Sequence, residues 1–81
     1  MTKTIHIQYY ALLREARGLS KETIQTSALT AQELYEKLKK QYHFTLSIIL
    51  LKLAINNQFA SWETQLKDGD SIVFIPPVAG G

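Results

Sequence analysis

Apolar and polar residues alternate near the start of the chain. Ile5, Ile7 and Tyr9 would share one face of an extended segment, and the residues between them are polar. Tyr10 follows on the polar face. A two-residue period of this kind is typical of a half-buried β-strand, so the sequence predicts a strand over residues 4–10.

The pattern changes after this strand. Residues 12–17 fit a short helical turn better than a strand, and Gly18 is suited to ending such a turn because glycine adopts left-handed backbone angles freely. Residues 20–26 contain several β-branched side chains and predict a second strand. We expect this strand to pair with the first one as a hairpin.

The clearest local signal marks the start of a helix. Thr30 and Glu33 form a capping box, in which the Thr30 hydroxyl accepts from the Glu33 N–H and the Glu33 carboxylate accepts from the Thr30 N–H. Leu29 and Leu34 can pack across this cap as a hydrophobic staple. The helix should run over residues 31–42 with an apolar stripe along one side. The stripe consists of Ala31, Leu34, Leu38 and Tyr42, with Tyr35 beside it.

Strand and turn signals fill the second half of the chain. Residues 44–51 fit either a helical turn leading into a strand or one buried strand, because periodicity does not distinguish the two. Residues 52–56 predict a strand. A tight turn follows at Asn56 and Asn57, and Phe59 then lies on a short return strand.

The last predicted strand follows another turn. Asp68-Gly69-Asp70 is the turn signal, and residues 71–75 are the strand. The two aspartates lack the further carboxylates of a calcium loop and are interpreted as turn residues. The predicted order is β-β-α-β-β-β, in which one amphipathic helix covers one face of a sheet. This is an α+β layer architecture.

Composition places the chain among single globular domains. It has 81 residues, of which 46% are hydrophobic and 20% charged, an ordinary mix for one compact domain. No apolar run approaches the ~18 residues of a membrane span. The N-terminus carries no charged-then-apolar signal peptide, so we expect a cytoplasmic location. The formal charge of +2 is too small to predict nucleic-acid binding.

The densest group of basic residues lies on the predicted helix. Its members are Lys37, Lys39 and Lys40. Glu33 and Glu36 each lie four residues before one of these lysines, and such pairs stabilise a helix. We interpret the group as a solvated helix face, with a binding patch as the alternative.

The inventory of reactive side chains is short. The chain has no cysteine, which excludes disulfides, a Cys-ligated zinc site and a thiol nucleophile. His6 and His43 are its only imidazoles. A self-contained metal or hydrolytic site is hard to build from these residues, and we expect none.

The end of the chain suits a reactive terminus. Pro76 and Pro77 directly follow the last predicted strand, have no N–H to donate, and favour an extended conformation. The final residues are Val78, Ala79, Gly80 and Gly81. A glycine pair can enter a channel too narrow for side chains, and ATP could activate the terminal carboxylate as an acyl-adenylate. The segment fits either a disordered end or a slender probe with a functional carboxylate.

The same segment carries a family resemblance. Residues 74–81, Phe-Ile-Pro-Pro-Val-Ala-Gly-Gly, resemble the C-terminal signature of the MoaD family, the small subunits of molybdopterin synthase. Residues 66–70 resemble the family's Leu-x-Asp-Gly-Asp turn. Residues 54–56 resemble its Ala-Val-Asn strand end, and residues 10–15 its aromatic-x-x-x-Arg-Glu segment. Asn57 departs from the Gln or Glu that is more frequent in the family.

The resemblance implies a ubiquitin-like β-grasp domain over residues 1–75 and an extended tail over residues 76–81. It implies that an adenylating enzyme activates Gly81 with ATP and that the carboxylate becomes a thiocarboxylate. With Gly80 and Gly81 at the reaction site, the tail would donate sulfur to cyclic pyranopterin monophosphate inside the large synthase subunit, forming the dithiolene of molybdopterin. It also implies a heterotetramer of two small and two large subunits, and a small subunit that is not catalytic alone and binds no permanent cofactor.

The uncovered face of the predicted sheet is the candidate partner surface. Strand parity places Tyr10, Phe59 and Ile75 there as an apolar patch, and apolar patches on small domains often mark interfaces. The resemblance puts the contacts with the activating enzyme and the large subunit in the same region. The tail residues that would also contact the partner are Pro76, Pro77, Val78 and Ala79.

Arg14 is the other candidate partner-binding residue. It could contact acidic groups of a partner. The alternative is an ion pair at the surface with Glu15 or Asp70.

Two other interpretations of the whole chain stay open. One is a related ubiquitin-like carrier for thiamine or cysteine synthesis, or a protein modifier. The other is a plain binding module with an inert tail. The mass of the chain purified from its native cells distinguishes the inert-tail module from a carrier.

Overall fold

The computed structural model describes residues 2–77, which form a five-stranded sheet and two α-helices. The strands are β1 (Lys3–Tyr9), β2 (Lys21–Thr26), β3 (Lys52–Ile55), β4 (Gln58–Phe59) and β5 (Ser71–Ile75). The helices are α1 (Ala11–Arg17) and α2 (Ala31–Tyr42), and a 3-10 turn spans Ile48–Leu50. The order in the sheet is β2-β1-β5-β3-β4, with β1 and β5 parallel and the other neighbours antiparallel. The predicted α+β architecture is confirmed.

The sheet has one covered face and one open face. Ile5, Ile7 and Tyr9 are buried, at 2% exposure or less, as the alternation in β1 predicts. The parallel register sets Ile72 beside Ile7 and Phe74 beside Tyr9, so β5 adds two buried side chains to the same face. α2 covers this face and has the predicted bounds. It contributes Ala31, Leu34, Tyr35 and Leu38 to the core.

The start of α2 differs in detail from the predicted cap. The Thr30 hydroxyl accepts from the Glu33 N–H at 3.2 Å, as predicted. The Glu33 carboxylate, however, accepts from the Leu29 N–H at 3.0 Å instead of from Thr30. A bridge between Thr30 and Gln65 holds the entering chain extended, and in this geometry the Leu29 N–H is within reach. The predicted staple is wrong, since Leu29 stays 65% exposed while Leu34 is buried.

Left-handed backbone positions end two elements as predicted. Gly18, with a φ of 85°, ends α1, and its N–H donates to the Arg14 carbonyl at 2.9 Å. Asn56 and Asn57 have φ values of 52° and 71°, and two consecutive positive values are typical of a tight hairpin turn. This turn joins β3 to β4. Residues 44–51 contain the 3-10 turn, so the helical-turn alternative is confirmed there.

An aromatic cluster that the sequence pattern did not predict fills the covered face. The Trp62 and Phe74 rings stack with their centroids 5.9 Å apart. Tyr35 meets Phe74 edge-on at 5.1 Å, and its hydroxyl donates to the Leu46 carbonyl at 2.6 Å. Burial raises the pKa of Tyr35 to about 12, which keeps this donor neutral. The cluster fixes β5 against α2 and so positions the strand from which the tail begins.

Candidate functional site

The tail begins at the end of the central strand. β5 lies between β1 and β3, and it is paired on both sides. Pro76 is buried, and Pro77, the last described residue, is exposed. The other predicted site residues of the tail lie outside the described residues. They are Val78, Ala79, Gly80 and Gly81.

Strand register places Phe59 and Ile75 on the open face of the sheet. Ile75 stands opposite Lys52 in the antiparallel pair of β3 and β5. In the same pair Val73 stands opposite Ala54, and Ala54 stands opposite Phe59 in the next pair. Because residues that stand opposite each other share a face, all of these side chains lie on the face that α2 leaves uncovered. Phe59 is 75% exposed and Ile75 is half-buried.

Tyr10 reaches the same face from the start of α1. The predicted strand over residues 4–10 runs one residue too far, because β1 ends at Tyr9 and Tyr10 caps α1. The Tyr10 hydroxyl accepts from the Gln8 side-chain amide at 2.8 Å. Gln8 lies on the open face because it stands beside Val73. The structure therefore brings all three residues of the apolar patch to one face, with Tyr10 43% exposed.

Arg14 does not form the ion pair that the sequence offered as an alternative. The Asp70 carboxylate is buried and accepts from the Lys67 N–H at 2.8 Å and from the Asn56 side-chain amide at 3.0 Å. Among the ion pairs of residues 2–77, none joins Arg14 to Asp70 or to Glu15. The pairing alternative is therefore wrong for the described part of the chain. Arg14 is exposed on α1, which follows β1.

Two of the three lysines of α2, Lys37 and Lys40, are exposed, and Lys39 is half-buried. Lys37 Nζ lies 3.8 Å from the Glu33 carboxylate, which confirms one predicted i,i+4 pair. The second predicted pair, between Glu36 and Lys40, is not formed within residues 2–77. An exposed pair contributes at most about 1 kcal/mol. The geometry agrees with a solvated helix face.

The open face carries one imidazole. His6 Nδ1 lies 3.0 Å from the Thr23 hydroxyl oxygen. Across residues 2–77, no group of three His, Asp or Glu side chains lies close enough together to hold a metal ion. None of the helices in that range is long and apolar enough to cross a membrane.

Sequence reasoning missed an ion-pair cluster at the edge of the covered face. The Arg17 guanidinium donates to both oxygens of the Glu22 carboxylate, at 2.8 and 2.9 Å. The Tyr9 hydroxyl donates to the same carboxylate at 2.6 Å, and the Arg17 guanidinium lies 4.0 Å from the centre of the Tyr42 ring. The cluster ties α1, β1, β2 and the end of α2 together. The only signal in the sequence was two opposite charges on either side of Gly18, which many surface turns share.

This cluster shifts the pKa values of its members. The hydrogen bonds from Arg17 hold the pKa of the Glu22 carboxyl below its ordinary value. Burial, reinforced by the contact with Glu22, raises the pKa of the Tyr9 hydroxyl. The carboxylate therefore stays ionised and the phenol stays neutral over the physiological range.

We expect the ion-pair cluster to make the stability of the chain depend on pH. Because the folded-state pKa of Glu22 lies below its ordinary value of 4.5, its contribution is fully present above that value and is lost as the pH falls through the folded-state pKa. Glu22→Gln should lower the free energy of unfolding by about 1–3 kcal/mol near pH 7. Denaturant melts of both chains should show this difference shrinking as the pH falls below 4.5. A constant difference would contradict the assignment.

Sequence comparison now identifies the family. The family model described as the ThiS family matches residues 7–81, from β1 to the end of the chain. The chain belongs to the ThiS family. The matched range includes the tail and the three residues of the apolar patch.

Relatives of this ThiS-family chain include subunits of molybdopterin synthase. The chain is 30% identical over 80 residues to the molybdopterin synthase sulfur carrier subunit of Haemophilus influenzae, covering 95% of this chain and 99% of that one. The structure of the putative molybdopterin converting factor subunit 1 of Pyrococcus furiosus matches with a TM-score of 0.75 at 25% identity, covering 94% and 99% of the two chains. A chain in the complex of subunits 1 and 2 of molybdopterin-converting factor from Helicobacter pylori matches with a TM-score of 0.64 at 25% identity, covering 96% and 99%. The predicted ubiquitin-like β-grasp fold is confirmed.

Proposed function

We propose that this chain is the sulfur-carrier small subunit of a molybdopterin synthase. One observation carries the proposal: a Gly-Gly terminus follows the central strand of a ThiS-family domain, at most six residues after that strand ends. The name of the Haemophilus relative, which is matched over nearly its whole length, supports it. The chain performs no chemistry alone; it presents a terminal carboxylate to enzymes that act on it.

The proposed chemistry takes place at the Gly81 carboxylate. An activating enzyme transfers AMP from ATP to this carboxylate and releases pyrophosphate, which leaves an electrophilic acyl-adenylate. Hydrosulfide, or sulfur delivered at the same oxidation level, then displaces AMP, and the terminus becomes a thiocarboxylate. In the large subunit this sulfur bonds to a side-chain carbon of cyclic pyranopterin monophosphate and displaces the oxygen substituent of that carbon, and water then cleaves the acyl–sulfur bond to restore the carboxylate. One dithiolene contains two sulfurs, so two charged chains act for each product.

In this proposal the partner binds the folded domain, and the tail extends from it. The apolar patch lies on the open face, and Ile75 within it directly precedes Pro76. A partner that binds the patch therefore sets the point from which the tail extends. Gly80 and Gly81 have no Cβ atom, which suits a narrow channel. The Helicobacter complex of subunits 1 and 2 supports a large-subunit partner, and we propose an assembly of two small and two large subunits.

Reconstitution tests the proposed function. Chains that carry the thiocarboxylate should convert cyclic pyranopterin monophosphate to molybdopterin when mixed with the large subunit of the same organism. We expect two charged chains to be consumed for each product formed. The matched control is the same chain before charging, which should give no product.

Two outcomes would contradict this function. A charged chain that gives no product with an active large subunit would exclude the proposed acceptor. A charged chain that supplies sulfur to a thiazole synthase instead would favour the carrier of thiamine synthesis.

A further inference from the structure

A polar hollow lies on the open face beside the apolar patch. It crosses β1, from β2 on one side to β5 and the turn between β3 and β4 on the other. Its polar lining residues are His6, Gln8, Lys21, Glu22, Thr23, Asn57 and Ser71. Val73 also lines it and stands in the row of Ala54 and Phe59, so the hollow and the patch form one continuous surface.

The polar hollow is lined by the Lys21 cation and by neutral side chains that can donate hydrogen bonds. Lys21 shares the open face because it stands opposite Gln8 in the β1–β2 pair. Among the ion pairs of residues 2–77, none involves Lys21. The Asn57 amide and the Ser71 hydroxyl add neutral donors. An anionic group matches this set of side chains.

The neighbouring carboxylates are engaged elsewhere. Glu22 follows Lys21 in β2, but its carboxylate is held by Arg17 on the covered side of the sheet. Asp70 is 8% exposed, and its carboxylate accepts from the Asn56 amide. Within residues 2–77, neither the Glu22 nor the Asp70 carboxylate forms an ion pair with Lys21.

A second cation lies on β3, between Ile75 and Phe59 of the apolar patch. Lys52 lies opposite Ile75, and its ammonium is 5.8 Å from the centre of the Phe59 ring. Lys21 and Lys52 therefore flank an apolar centre near the end of β5 where the tail begins. The complementary protein surface has an apolar centre flanked by carboxylates, because matched charges orient two partners.

We propose that the polar hollow receives an aspartate or glutamate side chain of the protein that docks on the open face to take the tail. The inference rests on the proposed function, which supplies that partner. Lys21 forms an ion pair with the incoming carboxylate, and Asn57 and Ser71 donate hydrogen bonds to it. The apolar patch holds the partner, while the hollow fixes the direction in which the tail enters.

Charge reversal at Lys21 is the direct test. The probe is the large molybdopterin synthase subunit of the same organism, with the full-length chain, measured by titration calorimetry at low and high salt. Lys21→Glu should weaken binding by roughly tenfold or more at low salt, and the loss should shrink at high salt because salt screens charge repulsion. The matched control is Lys40→Glu on exposed α2, which changes the net charge equally and should bind within about twofold of the unmodified chain.

Lys21 lies on the edge strand β2. A charge on an edge strand also blocks unwanted strand pairing, which is a competing explanation for this lysine. Glutamate keeps a charge at the edge, so Lys21→Glu changes only its sign. A thermal melt checks that the variant folds, and Lys21→Gln, expected to have a smaller effect in the same direction, provides a second variant. Carbodiimide coupling of the wild-type complex should join the Lys21 amine to an Asp or Glu of the partner.

The outcomes distinguish a failure of this inference from a failure of the proposed function on which it rests. Weaker binding by Lys21→Glu, together with the Lys21 cross-link, supports the acidic contact. Unchanged binding by folded Lys21→Glu overturns the contact and leaves the proposed function standing. Equal losses with Lys21→Glu and Lys40→Glu also overturn it, since only net charge would then matter. A wild-type chain that does not bind the large subunit overturns both.

Discussion

Deleting Gly80-Gly81 is expected to abolish sulfur transfer and to change the free energy of unfolding by no more than a few tenths of a kcal/mol. The two glycines have no side chain to bury, so their loss removes no apolar contact from the core. Their loss does remove the carboxylate that the activating enzyme adenylates in the proposed function.

Adding one residue after Gly81 should be as damaging as the deletion. It moves the carboxylate by about 3.5 Å, which is far more than bond formation tolerates.

The control for the extension adds the same residue at the other terminus. β1 and β5 are parallel, so the start of β1 lies at the opposite end of the sheet from the start of the tail. An extension there should leave transfer unchanged. Thermal melts and a sulfur-transfer assay on all of these variants provide the measurement. Near-normal transfer by the C-terminally extended chain would show that the terminus is not the reacting group, and the inert-tail module would then be the better interpretation.

Replacing Phe59 with aspartate should weaken binding to both the large subunit and the activating enzyme by more than tenfold. The side chain is 75% exposed, so its loss costs the fold little. An aromatic anchor at an interface commonly contributes at least ~2 kcal/mol to binding. Ile75→Asp should have a similar effect on binding but a larger cost in stability, because Ile75 is half-buried in the central strand.

Leu29→Asp is the matched control for the patch. Leu29 is similarly exposed, at 65%. It follows β2, whose end pairs with the start of β1, so it lies at the end of the sheet away from the tail. Its replacement should leave affinity within about twofold. Calorimetric titration measures all of these variants, and full binding by Phe59→Asp and Ile75→Asp would contradict the assignment of the interface.

Local signals predicted much of the fold because their causes are local. The Thr30 cap and the apolar stripe gave the bounds of α2, and Gly18 gave the end of α1. The alternation of side chains along β5 and β4 predicted that Phe59 and Ile75 share one face of the sheet, and the strand pairing confirms it. Proline chemistry at Pro76 correctly ended the last strand.

Local sequence patterns did not predict contacts between segments that are distant in the sequence. The cluster around Glu22 depends on Tyr9 and Tyr42 meeting the Arg17–Glu22 pair from β1 and the end of α2. The stacking of Trp62 on Phe74 depends on which loop crosses the core. The shift of the Glu33 contact to the Leu29 N–H follows from a bridge to a segment more than thirty residues away. The polar hollow likewise exists only because β2, β1 and β5 lie side by side. Neither periodicity nor propensity encodes these neighbours.

The intact mass of the chain after activation tests the central claim most directly. The chain is incubated with its adenylating enzyme, ATP and a sulfur source, and the control reaction omits ATP. Since the chain contains no cysteine, no thiol side chain can take up the sulfur as a persulfide or disulfide. The account predicts that sulfur replaces one oxygen and that fragmentation places the change on Gly81. An unchanged mass, under conditions that charge a known carrier with the same enzyme, would contradict it.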